Sequence, residues 1–284
     1  MQWSIEAEEA VAKVPFFVRR RVRKKVEEEA LRCGAQRVEI AHVNACRQRY
    51  LSHMEEDVKG YQLETCFGSS GCPNRVQQSD KLISHLENSL ASRDLRGFLK
   101  KKVNGPLKFH HEFRISVSDC PNACSRPQIV DIGIIGAIRP AVTGETCTGC
   151  GACIAACAEC ALRCSPNSEG PIIHYENCVQ CGQCIKACPT GTLVMEIQGW
   201  RILVGGKLGR HPRLGEELPG LFTDEQVILF VQHGLDYYQA YNQRGERLGE
   251  MLACSQNPSL LASYTTTLSR KDGHDNRLKG ANNR

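Results

Sequence analysis

Seventeen cysteines stand in this 284-residue chain, and twelve of them fall into spacings that would hold three cubane-type 4Fe-4S clusters. Cys147, Cys150, Cys153 and Cys157 run as C-x2-C-x2-C-x3-C. Cys178, Cys181, Cys184 and Cys188 repeat the run ahead of Pro189. Three closely spaced thiolates wrap one face of a cubane, and its fourth corner must come from elsewhere in the fold. Zinc would instead take paired C-x2-C units. Two further pairs, C-x5-C at Cys66 and Cys72 and C-x3-C at Cys120 and Cys124, could hold one more cluster. By spacing alone those pairs also suit zinc. Cys160 and Cys164, just past the first run, read as buried thiols with a ligand role as the alternative. Cys33, Cys46 and Cys254 carry no assignment.

Across residues 143–192 the two runs resemble the two-cluster bacterial ferredoxin family, in which the fourth cysteine of each run ligates the other cluster. The resemblance implies one cluster on Cys147, Cys150, Cys153 and Cys188, and another on Cys178, Cys181, Cys184 and Cys157. The first run departs from the family by ending Cys157-Ala158 instead of Cys-Pro. The segment Phe113-Arg114-Ile115-Ser116-Val117-Ser118-Asp119-Cys120-Pro121-Asn122-Ala123-Cys124 resembles the cluster-and-sirohaem signature of the sulfite and nitrite reductase family. In that family the two cysteine pairs bind a 4Fe-4S cluster, and the last cysteine bridges to the iron of sirohaem. The resemblance therefore implies Cys66, Cys72, Cys120 and Cys124 as ligands, Cys124 as the axial thiolate, and Asn122 beside the cofactor. Ile129-Val130-Asp131-Ile132-Gly133 and Gly205-Gly206-Lys207-Leu208-Gly209-Arg210-His211-Pro212 resemble later segments of the same family. Lys207, Arg210 and Arg213 would meet tetrapyrrole carboxylates or substrate, or else form a basic loop in solvent.

What the resemblance implies is reduction of sulfite, or of nitrite, with electrons relayed through three 4Fe-4S clusters to sirohaem. The implied partners are a small oxyanion and a low-potential electron donor, ferredoxin-like or a reductase subunit. Family enzymes carry two related halves, and this chain is short for both. A second copy or a partner subunit would then complete the sirohaem site. A non-catalytic electron-transfer subunit is the alternative. Family members place lysines ahead of the signature strand, where this chain has Glu112-Phe113-Arg114. Arg114 keeps one cation, while a carboxylate beside a bound oxyanion is costly unless protonated or turned away. Lys108, His110, His111 and Arg126 could compensate, the histidines also as proton donors.

The elements that must position these residues read as α+β. Residues 1–48 form a small helical domain: Pro15 starts a helix with Val18, Val22, Val26 and Ala30 on one face, and Gly34 caps it. Through Trp3, Glu6-Ala7-Glu8, Val14-Pro15 and Val18-Arg19, the same stretch resembles the small helical domain of light-independent protochlorophyllide reductase. Residues 49–142 and 193–262 make a discontinuous sirohaem-reductase-type α/β domain, with 143–192 inserted as the two-cluster ferredoxin domain. The spacing predicts a helix over 80–102, strands over 113–118 and 129–137, and a hairpin over 193–206 turning at Gly199. Thr223 and Gln226 form a capping box before a helix ending near Asn242. Residues 263–284 are polar and read as disordered.

The composition suits a globular chain, with 41% apolar residues. A net charge of +5 and a sequence pI near 8.4 are too mild for a dedicated nucleic-acid binder. No apolar run nears the ~20 residues needed to span a bilayer. Glu6, Glu8 and Glu9 precede any apolar stretch, unlike a signal peptide. A cytoplasmic location is expected, and there thiols serve metal rather than disulfides.

Overall fold

The computed structural model describes residues 1–164, 170–253 and 260, so the tail expected to be disordered and Cys254 lie outside the described residues. The chain divides into two compact units: Met1–Lys59 with Val103–His110, and Gly60–Lys102 with the chain from His111 on.

In the first unit, strand β1 (Gln2–Trp3) pairs in parallel with β2 (Arg37–Val38) around helices α1 (Ile5–Ala12), α2 (Phe16–Arg32) and α3 (Ile40–Asp57). Ser4 opens α1 by accepting the Ala7 N–H. Gly34, at φ +69°, ends α2 in a Schellman turn: its N–H reaches Leu31 O and the Ala35 N–H reaches Ala30 O. Ala7, Val26, Ala30 and Val38 form the core, flanked by Trp3, Val22 and Val43. Between α2 and α3 the buried Glu29 carboxylate takes Arg32 and Arg49 together. The Arg49 hydrogen bond, against the cost of burial, holds that carboxyl down at about 2. The domain boundary expected after residue 48 falls inside α3, which runs on to Asp57.

The second unit is built on β3 (Tyr61–Thr65), α4 (Asp80–Ala91), α5 (Leu95–Lys102), β4 (Phe113–Ser118) and β5 (Ile132–Val142). After β5 come α6 (Ala152–Ala155), β6 (Leu162–Cys164), β7 (Pro171–Ile173) and α7 (Gln183–Ala187). The chain then returns through β8 (Leu193–Val204), β9 (Glu216–Glu217), α8 (Asp224–Tyr241) and α9 (Leu248–Ala253). The sheet order is β3-β4-β5-β8-β9, with the first three strands parallel and the last two joined antiparallel. Phe113, Ile115, Val117, Ile132, Ile134, Trp200, Ile202 and Val204 alternate onto one face and are buried. Helix α8 covers it: Phe113 meets Tyr238 with ring centroids 5.0 Å apart, and Trp200 Nε1 donates to Asp224 at 2.6 Å. The predicted capping box opens α8.

Three expectations need correction. The helix over 80–102 is two helices, because the Asp94 carboxylate accepts the Gly97 N–H and restarts the chain as α5. The strand expected from 129 begins at Ile132, after a 3-10 turn at Pro127–Ile129. Residues 193–206 are no hairpin, since β8 runs straight through Gly199. A Cβ there would sit 2.9 Å from Phe222 O, so this glycine serves a close backbone approach and not a turn.

Candidate metal centres

Strands β3 and β4 are parallel and in register to their ends, Thr65 facing Val117. Both cysteine pairs are therefore delivered to one edge of the sheet. The Cys66 N–H continues the ladder to Val117 O at 3.1 Å. Cys66 Sγ in turn accepts the N–H groups of Gly68 and Asp119, each at 3.3 Å. A 3-10 turn over Phe67–Ser70 and Gly71 at φ +94° then bring round Cys72. Gly68 has no room for a side chain, because a Cβ would lie 2.2 Å from Asp119 Oδ2. Asp119 is buried, paired with Arg75 at 3.0 Å, and its carbonyl accepts the N–H groups of Val76 and Gln77. Burial pushes the Cys120 thiol up, a backbone bond at Asn122 pulls it down, and the thiols of Cys66, Cys72 and Cys124 push it further up. The other three thiols thus act on Cys120. Cys120 is buried, Cys66 and Cys72 are half-buried, and Cys124 is exposed.

From Cys120 the chain doubles back over the sheet face opposite α8. Ala123 and Arg126 adopt left-handed backbone at φ +53° and +60°, conformations that strain a side chain. Ser125 anchors them. Its hydroxyl donates to Val117 O at 2.8 Å and accepts from Ser118 Oγ at 2.6 Å, and its carbonyl accepts Ser116 Oγ at 2.6 Å. These groups are buried and mutually satisfied. Asn122 Nδ2 donates to Cys124 Sγ at 3.2 Å. Arg126 reaches Glu64 on β3 at 3.6 Å.

The two cysteine runs lie between β5 and β8 and repeat each other in backbone as well as sequence. Gly149 and Gly151 sit at φ +66° and +72°, and their counterparts Gln180 and Gly182 at +62° and +67°. Each run then enters a short helix, α6 or α7, capped by the second of these residues. Burial raises the Cys184 thiol to about 11, and Cys178, Cys181 and Cys157 add to the rise. Burial also raises Cys153, with Cys164 and Cys188 contributing. Cys188 goes the other way. Burial is outweighed there by hydrogen bonds from Leu193, Thr190 and Thr192, which bring the thiol down to about 7. The fourth cysteine of the first run, Cys157, thus acts on Cys178 and Cys184 of the second, and Cys188 on Cys153 of the first. The second run leans on β5: the Ile138 N–H donates to Gln180 O at 2.7 Å. Two residues back along β5, Gly136 lies so close to Asp119 that a Cβ would stand 2.6 Å from its carbonyl oxygen.

The remaining candidates are dispersed. Lys108 and His110 fall in the first unit, and His111 in the second. Arg114 shares the sheet face opposite α8 with Ser116 and Ser118, about 13 Å of strand before Ser118. Glu112 is turned away: buried, it accepts the Gly60 N–H at 3.1 Å and Gln62 Nε2 at 2.6 Å. Lys207 and Arg213 pair through their backbones, while their side chains hold Glu250 at 2.5 Å and Gly249 O at 3.0 Å. That loop follows Val204, which pairs with Ile132, and its Gly206 lies against Gln128 and Val130. Arg210 is exposed on it. Cys160 and Cys164, expected to be buried, are exposed. They flank and end β6, the short edge hairpin partner of β7. Sequence reasoning missed the Ser116, Ser118 and Ser125 cluster and the Asp119–Arg75 pair, whose partners meet only in the folded chain.

The donor sets are thiols with backbone N–H groups aimed at Cys66 and Cys157 sulfur, the chemistry that cluster ligation uses. Among the described residues no three His, Cys, Asp or Glu side chains form a group that could hold a metal ion. Around one zinc, thiolates about 2.3 Å from the ion crowd within roughly 4 Å of each other. A cubane's corners hold its thiolates farther apart, and backbone N–H groups aimed at sulfur are the usual accompaniment of cluster ligation. Among the described residues no helix is long and apolar enough to cross a membrane.

Residues 61–254 match the family model described as nitrite and sulphite reductase 4Fe-4S domain, and residues 3–47 match that of the proto-chlorophyllide reductase 57 kD subunit. The chain is 34% identical to the coenzyme F420-dependent sulfite reductase of Methanocaldococcus jannaschii, over 64% of this chain and 27% of that protein. It is 30% identical to a subunit of the anaerobic sulfite reductase of Salmonella typhimurium, over 68% of this chain and 58% of that one. The chain thus spans 27% and 58% of the length of these two curated relatives. Among solved structures, dissimilatory sulfite reductase I aligns with a TM-score of 0.44 at 16% identity, covering 72% of this chain and 54% of that one.

Proposed function

The chain belongs to the nitrite and sulphite reductase 4Fe-4S domain family, and from that premise we propose that it carries electrons through three 4Fe-4S clusters to a sirohaem on which sulfite, or nitrite, is reduced. Cys66, Cys72, Cys120 and Cys124 would hold the terminal cluster. Cys147, Cys150, Cys153 and Cys188 would hold a second, and Cys178, Cys181, Cys184 and Cys157 a third. The observation that carries the reading is the exposed Cys124 thiol beside the buried Cys120, on the turn after β4, with Cys66 and Cys72 on the turn after the neighbouring β3. A shared ligand needs an open side, and Cys124 is the most open of the four. Bound there, sirohaem would supply the iron that takes the anion.

The chain's own residues would do the rest. Asn122 donates to the bridging sulfur and holds its rotamer. Arg126, on the sheet face opposite α8, would neutralise an oxyanion by exchanging Glu64 for it. Arg114 would contribute charge from the same face, and His111 a proton for the water released. Lys207 and Arg213, committed to α9, would hold their loop, leaving Arg210 to meet cofactor carboxylates. Electrons would pass from the second run's cluster, because Gln180 and Asp119 approach β5 within two residues of each other.

A low-potential donor and a completing subunit or second copy are part of this reading. The Salmonella relative, itself one subunit of an anaerobic sulfite reductase, supports them. The test is the visible spectrum of the purified, anaerobically reconstituted protein. Sirohaem bands beside loaded clusters are expected, and full cluster loading without them would sink the catalytic reading. The engagement of Lys207 and Arg213 with α9 favours one alternative, an electron-transfer subunit without turnover. Steady-state sulfite or nitrite reduction by the isolated chain would refute it.

A further inference from the structure

The joint that closes the first cluster holds two hydroxyls in series. Cys188 Sγ lies 3.6 Å from Thr190 Oγ1, which lies 2.8 Å from Thr192 Oγ1, which lies 3.4 Å from Glu145 O. Thr192 is buried at 1% exposure. Glu145 stands two residues ahead of Cys147, so the series spans from one ligand of this cluster to the approach of another. Thr143 stitches the same joint through backbone groups alone, bonding Gly191 O at 3.1 Å and Thr192 O at 3.3 Å.

Each hydroxyl has one proton to give. The series therefore has two polarities. In one, Thr190 donates to Thr192 and Thr192 to Glu145 O, leaving the sulfur without this donor. In the other, both hydroxyls turn round, and Thr190 donates to Cys188 Sγ with Thr192 donating to Thr190. We infer that Thr190 and Thr192 form a reversible hydroxyl chain that raises the reduction potential of the cluster held by Cys147, Cys150, Cys153 and Cys188. An electron added to the cluster increases negative charge on its sulfurs, and the chain turns to face it. The reduced form gains a hydrogen bond that the oxidised form does not need. No proton leaves and no bond breaks, since only two C–O torsions change. Donors to ligand sulfur are an established lever on cluster potential, and neighbouring bonds in series strengthen each other.

The inference rests on Cys188 ligating this cluster. The experiment is an EPR-monitored redox titration of the intact, reconstituted chain and of Thr190→Val, Thr190→Ser and Thr143→Val, with iron and sulfide counted in each. In Thr190→Val one midpoint potential falls while the other two stay in place. Thr190→Ser restores it, because serine keeps the hydroxyl. Thr143→Val leaves all three unmoved. Unshifted potentials in a fully loaded Thr190→Val protein overturn the inference alone. An equal shift in Thr143→Val also overturns it, tracing the effect to a loosened joint. A wild-type chain holding fewer than three clusters overturns the reading beneath it.

Discussion

Cys124 and Ser125 are neighbours with separable duties. The exposed thiol contributes nothing to packing, whereas the Ser125 hydroxyl is buried and closes the turn on Val117 and Ser118. Cys124→Ser should therefore leave the melting temperature of the cluster-free chain unchanged. It should also remove the terminal cluster and the sirohaem bands, as iron counting and the visible spectrum would record. Ser125→Ala leaves the buried Ser118 hydroxyl without its acceptor and takes one of the two hydrogen bonds from Val117 O. It should cost about 1–3 kcal/mol in denaturant unfolding before any cofactor is added. Gly68→Ala forces a methyl onto the Asp119 carboxylate. A loss of about 1–3 kcal/mol is expected there too, from overpacking at a strand end that cannot retreat. The cysteines were legible because cluster ligation is written in local spacing. The serines were not, because Ser116 and Ser125 become partners only when the chain doubles back.

At the scale of elements, the α2–α3 pair is bound by Glu29 between Arg32 and Arg49. Its carboxyl is held at about 2 in the folded state, below its ordinary value of 4.5. A depressed carboxyl stabilises the fold above its unfolded value and loses that contribution as pH falls through the folded one. Glu29→Gln should therefore lower the thermal midpoint of this unit at neutral pH. The gap from wild type should shrink between pH 4.5 and 2, as melting followed by circular dichroism would show. Elements with a strong local signal were readable from sequence: the Thr223 box before α8, the alternation of β4, the Gly34 stop. Those set by neighbours were not. Gly199 reads as a turn in isolation and becomes a strand residue because Phe222 passes against it. The polar α3 carries no punctuation near residue 48 and runs through it.

Across the second unit, the order of the relay follows from which run touches the sheet. The second run is bonded to Ile138 and the first is not, so the second should be the last stop before the terminal cluster. Cys181→Ser should leave the terminal cluster reducible by dithionite, yet cut its reduction by a protein donor in stopped-flow traces. Equal donor-driven rates in mutant and wild type would remove that order. The repeated runs and the separate pairs were visible in the cysteine spacing, but the side on which the second run meets β5 was not, because it depends on strand register.

The ladder between β5 and β8 is unbroken in direction from Ile132 opposite Val204 to Val142 opposite Leu193, with a single slip at Arg139 and Pro140. The whole cysteine-rich block is spliced between the last two partners of that ladder. Residues 142 and 193 already stand side by side, so a two-residue turn would reconnect them as an ordinary hairpin. The block is placed as a cassette would be: replacing 143–192 by such a turn is expected to leave the register of β4 and β5, and so the approach to Cys120 and Cys124, unchanged. A lineage could swap its electron supply while keeping the terminal chemistry.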